Sequence, residues 1–259
     1  MTTAYKLTAS VVTVVYNNAD TIGDTIRAVL DQTHPNIEYV IIDGGSDDGT
    51  QEIVEGFGDK IDYFVSEPDE GIYDAMNKGI RAATGDVVHI LNSDDFYADS
   101  TVVERMMNVF EQRDVDCVHG DVAYVDWDDT DRVIRYWRAG DFTPRKFRWG
   151  WMPPHQSFFV RRELYEKYGV FDQDLDISAD YELILRFLYH HDVKSAYVPA
   201  LVTKARVGGH SNESLMQRLK GHLQCHRAWL MNGKLPNPVT LAMKPLSKLP
   251  QYFAKPERV

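Results

Sequence analysis

The chain has 259 residues, of which 44% are hydrophobic and 26% charged, and its formal net charge is −11. This composition is typical of a folded globular protein and excludes disordered and collagen-like chains. The acidic balance argues against a general nucleic-acid-binding protein, because contacts with phosphates need a basic surface. The two cysteines, Cys117 and Cys225, have no CxxC spacing. Neither a disulfide framework nor a thiolate zinc site is therefore predicted, and a reducing compartment is favoured.

The N-terminal segment gives no targeting signal. It lacks a basic region followed by a long apolar stretch, and no window approaches the roughly 20 apolar residues of a membrane-spanning helix. We therefore predict a cytoplasmic protein without a secretion signal or a membrane span.

The charge is unevenly distributed along the chain. Residues 216–259 contain eight Lys or Arg and one Glu, a net +7, so the other 215 residues carry −18. Apolar and aromatic residues lie between these basic residues, a pattern that predicts contact with an anionic membrane surface. Alternatively, the segment is a solvated helix and tail that packs on the body of the protein.

Strand-like and helix-like segments alternate along the first half of the chain. Continuous apolar runs predict four strands, at residues 10–16, 37–43, 61–67 and 86–91. Helical spacing between them predicts helices at residues 19–32, 46–58 and 71–84. Such runs, separated by helices, indicate strands covered on both faces and hence a doubly wound, mostly parallel sheet. The ligand cleft of such a sheet lies at the carboxyl ends of its strands.

The second half of the chain is less regular. After a predicted helix at residues 99–113, we expect strands of a mixed or antiparallel region at residues 116–129, 132–142 and 195–205. Helices are expected at residues 161–169, 178–191 and 214–233. The simplest organisation is one α/β domain, residues 1–214, followed by a basic amphipathic helix and tail at residues 215–259.

Polar side chains follow three of the predicted strands. Tyr16 follows the first strand, Asp43 ends the second, and Asp94 and Asp95 follow the fourth. In a doubly wound sheet these positions share one crevice. Two like charges beside a core need a partner, and hard cations such as Mg²⁺ and Mn²⁺ prefer carboxylate oxygens. The set suits a nucleotide whose diphosphate is bridged by the metal, although residues 92–95 taken alone would more simply form a helix-capping turn.

Several longer segments occur in a fixed order: SVVTVVYNNADTI, IEYVIIDGGSDDGT, GIYDAMNKGIRAATGDVVHILNSDD and SADYELILRF. In this order and at these spacings they resemble the family 2 inverting glycosyltransferases of the GT-A fold. The segments SEPDEGIYDAMNKGI and PHQSFF most resemble the bacterial exopolysaccharide and colanic-acid type members. The resemblance covers about residues 10–214 and implies a nucleotide-sugar half of about residues 1–97 and an acceptor half of about residues 98–214.

The resemblance implies a set of donor-site residues. Those matching nucleotide-sugar contacts are Val14, Tyr16, Asp43, Lys78 and Asp94. Asp94 and Asp95 occupy the D-x-D region, where a carboxylate binds Mn²⁺ or Mg²⁺. Asn92 stands in place of the usual first acid, which leaves open whether Asp94 or Asp95 is the direct ligand. His210 matches a loop that closes over the diphosphate and is the third candidate metal ligand.

Asp180 matches the catalytic base of the family, and Tyr181 replaces the second acid of that motif. Its chemistry fits, because inverting transfer is a single displacement that needs a base on the acceptor side and charge stabilisation on the leaving group. Asp180 begins a predicted helix, whose dipole favours the ionised carboxylate. Trp151, His155 and Gln156 are candidates for acceptor binding, or equally for a corner of the core.

We therefore predict an enzyme that transfers a sugar, with inversion, from a nucleoside-diphosphate sugar to a polysaccharide or lipid-linked acceptor at the cytoplasmic face of a membrane. Two alternatives remain at this point. A nucleotidyltransferase also places paired acids on an α/β sheet, but would be expected to show a glycine-rich basic loop after the first strand. A catalytically inactive nucleotide-sugar-binding protein would lack turnover altogether.

Overall fold

The parallel part of the sheet comes from the first half of the chain. The structure, a computed structural model, describes residues 7–207, 215–235, 240, 243, 249–252 and 254. Four parallel strands lie in the order β3-β2-β1-β4: β1 (Ala9–Val15), β2 (Ile37–Asp43), β3 (Tyr63–Ser66) and β4 (Val87–Ile90). The intervening helices are α1 (Ala19–Leu30), α2 (Thr50–Glu55), a 3₁₀ turn (Gly58–Lys60) and α3 (Ile72–Ala82). All four strands and three helices predicted here are confirmed.

The remaining strands form a mixed extension of the same sheet. They are β5 (Asp95–Tyr97), β6 (Cys117–Asp126), β7 (Val133–Trp137), β8 (Phe159–Arg161) and β9 (Ser195–Val207). Strand β8 is antiparallel to both β4 and β6, β9 is parallel to β6, and β5 and β7 pair antiparallel with β9 and β6. The expected mixed region is confirmed. The two three-residue strands, β5 and β8, were not predicted because they are too short to show a periodicity.

The helices of the second half cover this extension. They are α4 (Val102–Gln112), α5 (Pro144–Arg148), a 3₁₀ turn (His155–Ser157), α6 (Arg162–Tyr168), α7 (Ala179–Ile184), α8 (Leu215–Met231) and a 3₁₀ turn (Leu249–Tyr252). A π-helical segment, Leu185–His190, continues α7. The helix predicted at residues 178–191 is therefore present, with a wider second half.

The core lies on both faces of the sheet, as the continuous apolar runs predicted. In β1, Val12 and Val14 pack with Ile42 and the α3 side, whereas Val11 and Val15 pack with the α1 and α4 side. Helix α3 comes so close to β1 that a Cβ at Gly79 would lie 2.2 Å from a methyl carbon of Val12.

Helix α8 packs against α7. Trp229 is only 1% exposed and its Nε1–H donates to the Tyr181 hydroxyl at 2.9 Å, while Asn232 donates to Glu182 at 2.9 Å. The first part of the basic segment thus packs on the body, and the domain division at residue 214 stays a prediction. Within the described ranges, no helix is both long and apolar enough to cross a membrane.

Candidate active site

Strand register brings the ends of β1, β2 and β3 together. Val15 lies opposite Asp43, and Asp43 lies opposite Ser66. The Asp43 carboxylate is fully buried and accepts hydrogen bonds from the backbone N–H of Gly45 at 3.1 Å and of Ser46 at 3.0 Å. It also accepts bonds from the hydroxyls of Ser46 and Ser66. Asp43 therefore holds its own loop in this structure, and its contact with a nucleoside stays a prediction.

Tyr16 lies at the exposed end of β1. Its side chain is 65% exposed, and its ring faces the next loop, because a Cβ at Gly44 would lie 3.3 Å from Tyr16 Cδ2. The backbone N–H of Asn17 donates to Ser46 Oγ at 2.8 Å and joins the two loops. The aromatic ring of Tyr16 is thus available at the carboxyl ends of the strands, where stacking on a nucleotide base is expected. Val14, by contrast, is buried in the core at 5% exposure.

The turn that carries Asp94 and Asp95 is held by α1. The Ser93 carbonyl accepts hydrogen bonds from the hydroxyls of Thr21 and Thr25, both at 2.9 Å, and Thr25 also donates to the Asp95 carbonyl at 2.8 Å. These bonds fix the backbone of the turn. The two carboxylates therefore stay side by side even though their charges repel each other.

Burial and like charge dominate the electrostatics of this pair. Burial, together with the charge of Asp94, raises the pKa of Asp95 well above its ordinary value, and burial also raises the pKa of Asp94. The positive charge of Arg206 acts in the opposite direction on both. Arg206 donates to the Asp94 carbonyl at 3.1 Å and to Asp24 at 2.8 Å. Sequence reasoning missed this cation, whose only signal was its place shortly before His210 and the predicted diphosphate loop.

The oxygen atoms around the turn fit a divalent cation. Besides the two carboxylates, Asn92 Oδ1 is buried and has no hydrogen-bond partner among the described residues, while its Nδ2 donates to Asp95 at 3.2 Å. Hard oxygens with excess negative charge are the donor set that Mg²⁺ and Mn²⁺ prefer. No group of three or more His, Cys, Asp or Glu side chains that could hold a metal occurs in the described part of the chain. The third predicted ligand, His210, lies outside the described residues.

Asp180 lies between two polar groups from different elements. The Tyr73 hydroxyl of α3 donates to Asp180 Oδ1 at 3.3 Å, and His155 Nδ1 lies 3.3 Å from Asp180 Oδ2. The Asp180 and His155 side chains remain 23% and 32% exposed. Burial, followed by the charge of Asp180, raises the pKa of Tyr73, which keeps this hydroxyl protonated. Both oxygens of the carboxylate are thereby oriented while part of the group still faces solvent.

A cleft of about 1270 Å³ opens beside this carboxylate. The three residues predicted to bind the acceptor, Trp151, His155 and Gln156, line it together with Asp180. Aromatic and basic side chains complete much of the wall, among them Tyr73, Tyr124, Arg135, Trp137, Arg138 and Tyr252. These three residues thus line the same cleft as Asp180, whereas their role in acceptor binding stays a prediction.

The strand-end carboxylates do not line this cleft. Asp43 turns into its own loop and Asp95 is 3% exposed. A crevice shared by the strand-end residues stays a prediction. Tyr124, which sequence reasoning missed, lies between the Asp95 turn and the cleft beside Asp180. It lies opposite Ala205, which lies opposite Asp95, and the charges of both Asp95 and Asp180 help to raise its pKa after burial. In the sequence Tyr124 is one more large residue of a buried strand, with nothing to distinguish it from core.

Lys78 lies among acidic groups. Its Nζ is 2.9 Å from Glu67 and 3.4 Å from Asp74, and it donates to the Pro68 carbonyl at 3.1 Å. The hydrogen bond to Glu67 and the charges of both acids raise the pKa of Lys78. Its predicted contact with the donor stays a prediction.

The chain matches a protein family and a number of known glycosyltransferases in sequence. Residues 10–169 match Glycosyl transferase family 2. An uncharacterised glycosyltransferase of Mycobacterium tuberculosis is 35% identical over 184 residues, which cover 69% of this chain and 68% of the relative. A PGL/p-HBAD biosynthesis glycosyltransferase of Mycobacterium bovis is 27% identical over 208 residues, 78% of each chain.

Solved structures share the fold at low sequence identity. A mannosyltransferase from Pyrobaculum calidifontis in complex with GDP-Man and Mn²⁺ has a TM-score of 0.65 at 19% identity, covering 96% of this chain and 74% of that one. S. aureus TarS 1-349 in complex with UDP-GlcNAc has a TM-score of 0.66 at 16% identity, covering 87% of this chain and 65% of that one. This chain thus spans slightly less than two thirds of that TarS chain.

These similarities decide between the alternatives that the sequence left open. The nucleotidyltransferase alternative is wrong, while the closer likeness to exopolysaccharide enzymes stays a prediction. The sheet, parallel in its first part and mixed in its second and flanked by helices, matches the GT-A glycosyltransferase structures. The chain is a glycosyltransferase and belongs to glycosyl transferase family 2.

Proposed function

We propose that this glycosyltransferase moves a sugar from a nucleoside-diphosphate sugar to a hydroxyl of a glycan or glycolipid, with inversion, and that Asp180 is the base. The observation that carries the proposal is the oriented, part-exposed Asp180 carboxylate in a large aromatic-lined cleft. Aromatic faces such as Trp151 pack well on the C–H faces of sugars. A cleft of this size has room for an acceptor sugar and part of its chain.

The chemistry follows from one carboxylate on the acceptor side. Asp180 removes the proton of the acceptor hydroxyl as that oxygen attacks the anomeric carbon, and the proton stays on the carboxyl group. The bond from the anomeric carbon to the diphosphate oxygen breaks, and its electron pair leaves with the nucleoside diphosphate. Attack from the face opposite the leaving group inverts the anomeric centre. No covalent nucleophile is required.

The donor side has the residues to hold a divalent cation. Asp94, Asp95 and the unpartnered oxygen of Asn92 would bind it, and Tyr16 would stack on the base. When bound, such a cation neutralises charge that develops on the departing diphosphate. The mannosyltransferase of the same fold, with GDP-Man and Mn²⁺, supports this assignment by analogy.

The acceptor is proposed to be lipid-linked and reached from a membrane surface. A relative carries the name PGL/p-HBAD biosynthesis glycosyltransferase. On α8, the face opposite the buried Trp229 exposes four apolar side chains at helical spacing: Met216, Leu219, Leu223 and Leu230. The net positive charge of residues 216–259 is complementary to anionic headgroups. Gln217 and Gly221, on the other side of the same helix, line the cleft. Docking on the apolar face would therefore place the cleft about one helix diameter, roughly 10 Å, from the lipid surface.

The donor and the stereochemistry are tested together. Thermal-shift measurements with UDP, GDP, dTDP and CDP sugars, with Mn²⁺ and with EDTA, should reveal one nucleotide class that stabilises the fold by mass action. Turnover of that donor, followed by NMR, should release product whose anomeric configuration is opposite to that of the donor. Retained configuration, or equal activity in EDTA, would contradict the proposal.

The membrane contact has its own test. Flotation with vesicles containing anionic lipid should recover the wild-type protein, and Leu219→Gln combined with Leu223→Gln should reduce the recovery several-fold. Tyr63→Gln changes an exposed aromatic residue on the opposite part of the sheet and serves as the matched control. Equal recovery of the double variant would refute the contact, as would a concentration-dependent dimer that the double variant abolishes in the absence of lipid.

A further inference from the structure

The contact between His155 and Asp180 has a consequence beyond acceptor binding. We infer that His155 is a positioning residue: its Nδ1, which lies 3.3 Å from Asp180 Oδ2, holds the carboxylate in the orientation that removes the acceptor proton. The inference rests on the proposed role of Asp180 as base. It reassigns His155, which the sequence had suggested as an acceptor-binding residue.

The geometry places one polar group beside each oxygen of the base. His155 Nδ1 lies 3.3 Å from Oδ2, and the Tyr73 hydroxyl donates to Oδ1 at 3.3 Å. Rotation of the carboxylate about its Cβ–Cγ bond would break one of these two contacts. Its remaining lone pairs stay available to the cleft that both Asp180 and His155 line.

The two polar groups are themselves held in place. Tyr73 stacks on Phe171 with ring centroids 5.4 Å apart. His155 begins a short 3₁₀ turn whose next carbonyl, that of Gln156, accepts from His89 at 3.0 Å and from Thr203 at 2.6 Å. The support for the base therefore comes from buried strand residues rather than from a free loop. Rigid support matters because a displacement of about 1 Å at a reacting group can cost about a hundredfold in rate.

Two other roles for His155 make different predictions. If it bound the acceptor through Nε2, its loss would mainly raise the acceptor KM. If Nε2 were itself the base and Asp180 only its orienting group, any substitution without a basic nitrogen would abolish turnover. Asparagine distinguishes these roles, because its side-chain N–H₂ can take the place of Nδ1–H while it offers no basic nitrogen.

The experiment measures kcat and both KM values for His155→Ala, His155→Asn and Tyr73→Phe. We expect kcat of His155→Ala to fall roughly ten- to hundredfold with each KM within about threefold of wild type. His155→Asn should recover most of the loss, and Tyr73→Phe should lower kcat in the same direction. His190→Ala, at an exposed helix end, is the matched control and should leave kcat unchanged. Thermal unfolding and donor-induced stabilisation verify that each variant is folded.

The outcomes separate this inference from the proposed function. A His155→Asn enzyme as impaired as a folded His155→Ala enzyme would overturn the positioning role, and so would a raised acceptor KM at unchanged kcat. Unaltered kinetics of His155→Ala would overturn it too. Failure of the proposed function has another signature, since Asp180→Asn would then keep its turnover whatever His155 does.

Discussion

The carboxyl ends of the parallel strands β1–β4 and the helices beside the mixed strands β5–β9 present their carboxylates in opposite ways. Asp43, at the end of β2, is fully buried, and Asp95, which follows the turn after β4, is 3% exposed; both are tied to their own turns. Asp180, at the start of α7, stands 23% exposed beside an open cleft. Aspartate therefore occurs in two environments. The buried carboxylates need a partner that neutralises their charge, whereas the part-exposed Asp180 is placed to take a proton from an acceptor.

This difference follows from topology. Parallel strands covered on both faces end inside the protein, so that polar groups at their ends are buried and need compensation. The antiparallel strand β8 interrupts that arrangement between β4 and β6. Beyond it, the 3₁₀ turn that begins with His155 and the start of α7 meet at a surface. An active site that needs both environments is accommodated where the two parts join, next to Tyr124.

The largest expected effect is the loss of sugar transfer when the buried pair of Asp94 and Asp95 is altered. Asp95→Asn should reduce metal-stimulated sugar transfer by about 10²–10⁴-fold, because the cation loses a charged ligand. The same change should raise the unfolding free energy in EDTA by about 1 kcal/mol, since it removes a buried charge held beside Asp94. Transfer assays and urea unfolding at pH 7 measure the two effects. Asp31→Asn, at the exposed end of α1, is the control, and a loss of stability in Asp95→Asn would contradict the account.

The next effect concerns the packing of α8 on the mixed part. Trp229→Ala should lower the unfolding free energy by about 3–5 kcal/mol, because it leaves a cavity against Phe147 and Tyr189. Leu223→Ala, on the exposed face of the same helix, should change it by less than about 0.5 kcal/mol. Chemical denaturation provides the comparison. Equal effects of the two substitutions would show that α8 is not part of the core.

A smaller effect, visible only in its pH dependence, is expected at His89 in β4. Burial, assisted by the nearby His155, lowers the pKa of His89 to about 3 against the opposing hydrogen bond to the Gln156 carbonyl. The unfolded chain binds this proton below about pH 6.5 whereas the folded protein does not, so acid destabilises the fold. Between pH 7 and pH 5 this amounts to about 2 kcal/mol.

His89→Gln should remove that contribution. Its unfolding free energy should fall by about 2 kcal/mol less than that of the wild type between pH 7 and pH 5, although it is less stable at pH 7. His190→Gln, at an exposed position, should show the same change of unfolding free energy with pH as the wild type. Parallel slopes for wild type and His89→Gln would mean that His89 does not stay neutral in the folded protein.

The sequence predicted the parallel part closely because strands buried on both faces appear as continuous apolar runs. It did not predict β5 and β8, since three residues carry no period and each strand is defined by neighbours distant in the chain. The α7 helix was expected, but its π-helical second half was not, because the change in hydrogen bonding leaves the apolar spacing almost intact.

Only some of the site residues were predicted, again because the sequence shows local patterns and not the pairing of distant strands. Asp94, Asp95 and Asp180 stand in ordered motifs, and the aromatic segment around Trp151 suggested the cleft. Arg206, which bonds the Asp94 carbonyl from 112 positions later in the chain, and Tyr124, which connects the two parts, depend on strand pairing alone. Pairing between distant strands cannot be read from local periodicity.

The central claim is that Asp95 holds the metal and the donor, whereas Asp180 removes the acceptor proton. The most direct test of this claim is to measure donor binding by one variant at each residue. Calorimetric titration with the selected nucleoside diphosphate and Mn²⁺ should give wild-type affinity for Asp180→Asn and at least tenfold weaker binding for Asp95→Asn, while sugar transfer is lost in both. If Asp180→Asn lost nucleotide affinity as strongly as Asp95→Asn, or continued to transfer sugar, the separation of metal-held donor from proton acceptor would be contradicted.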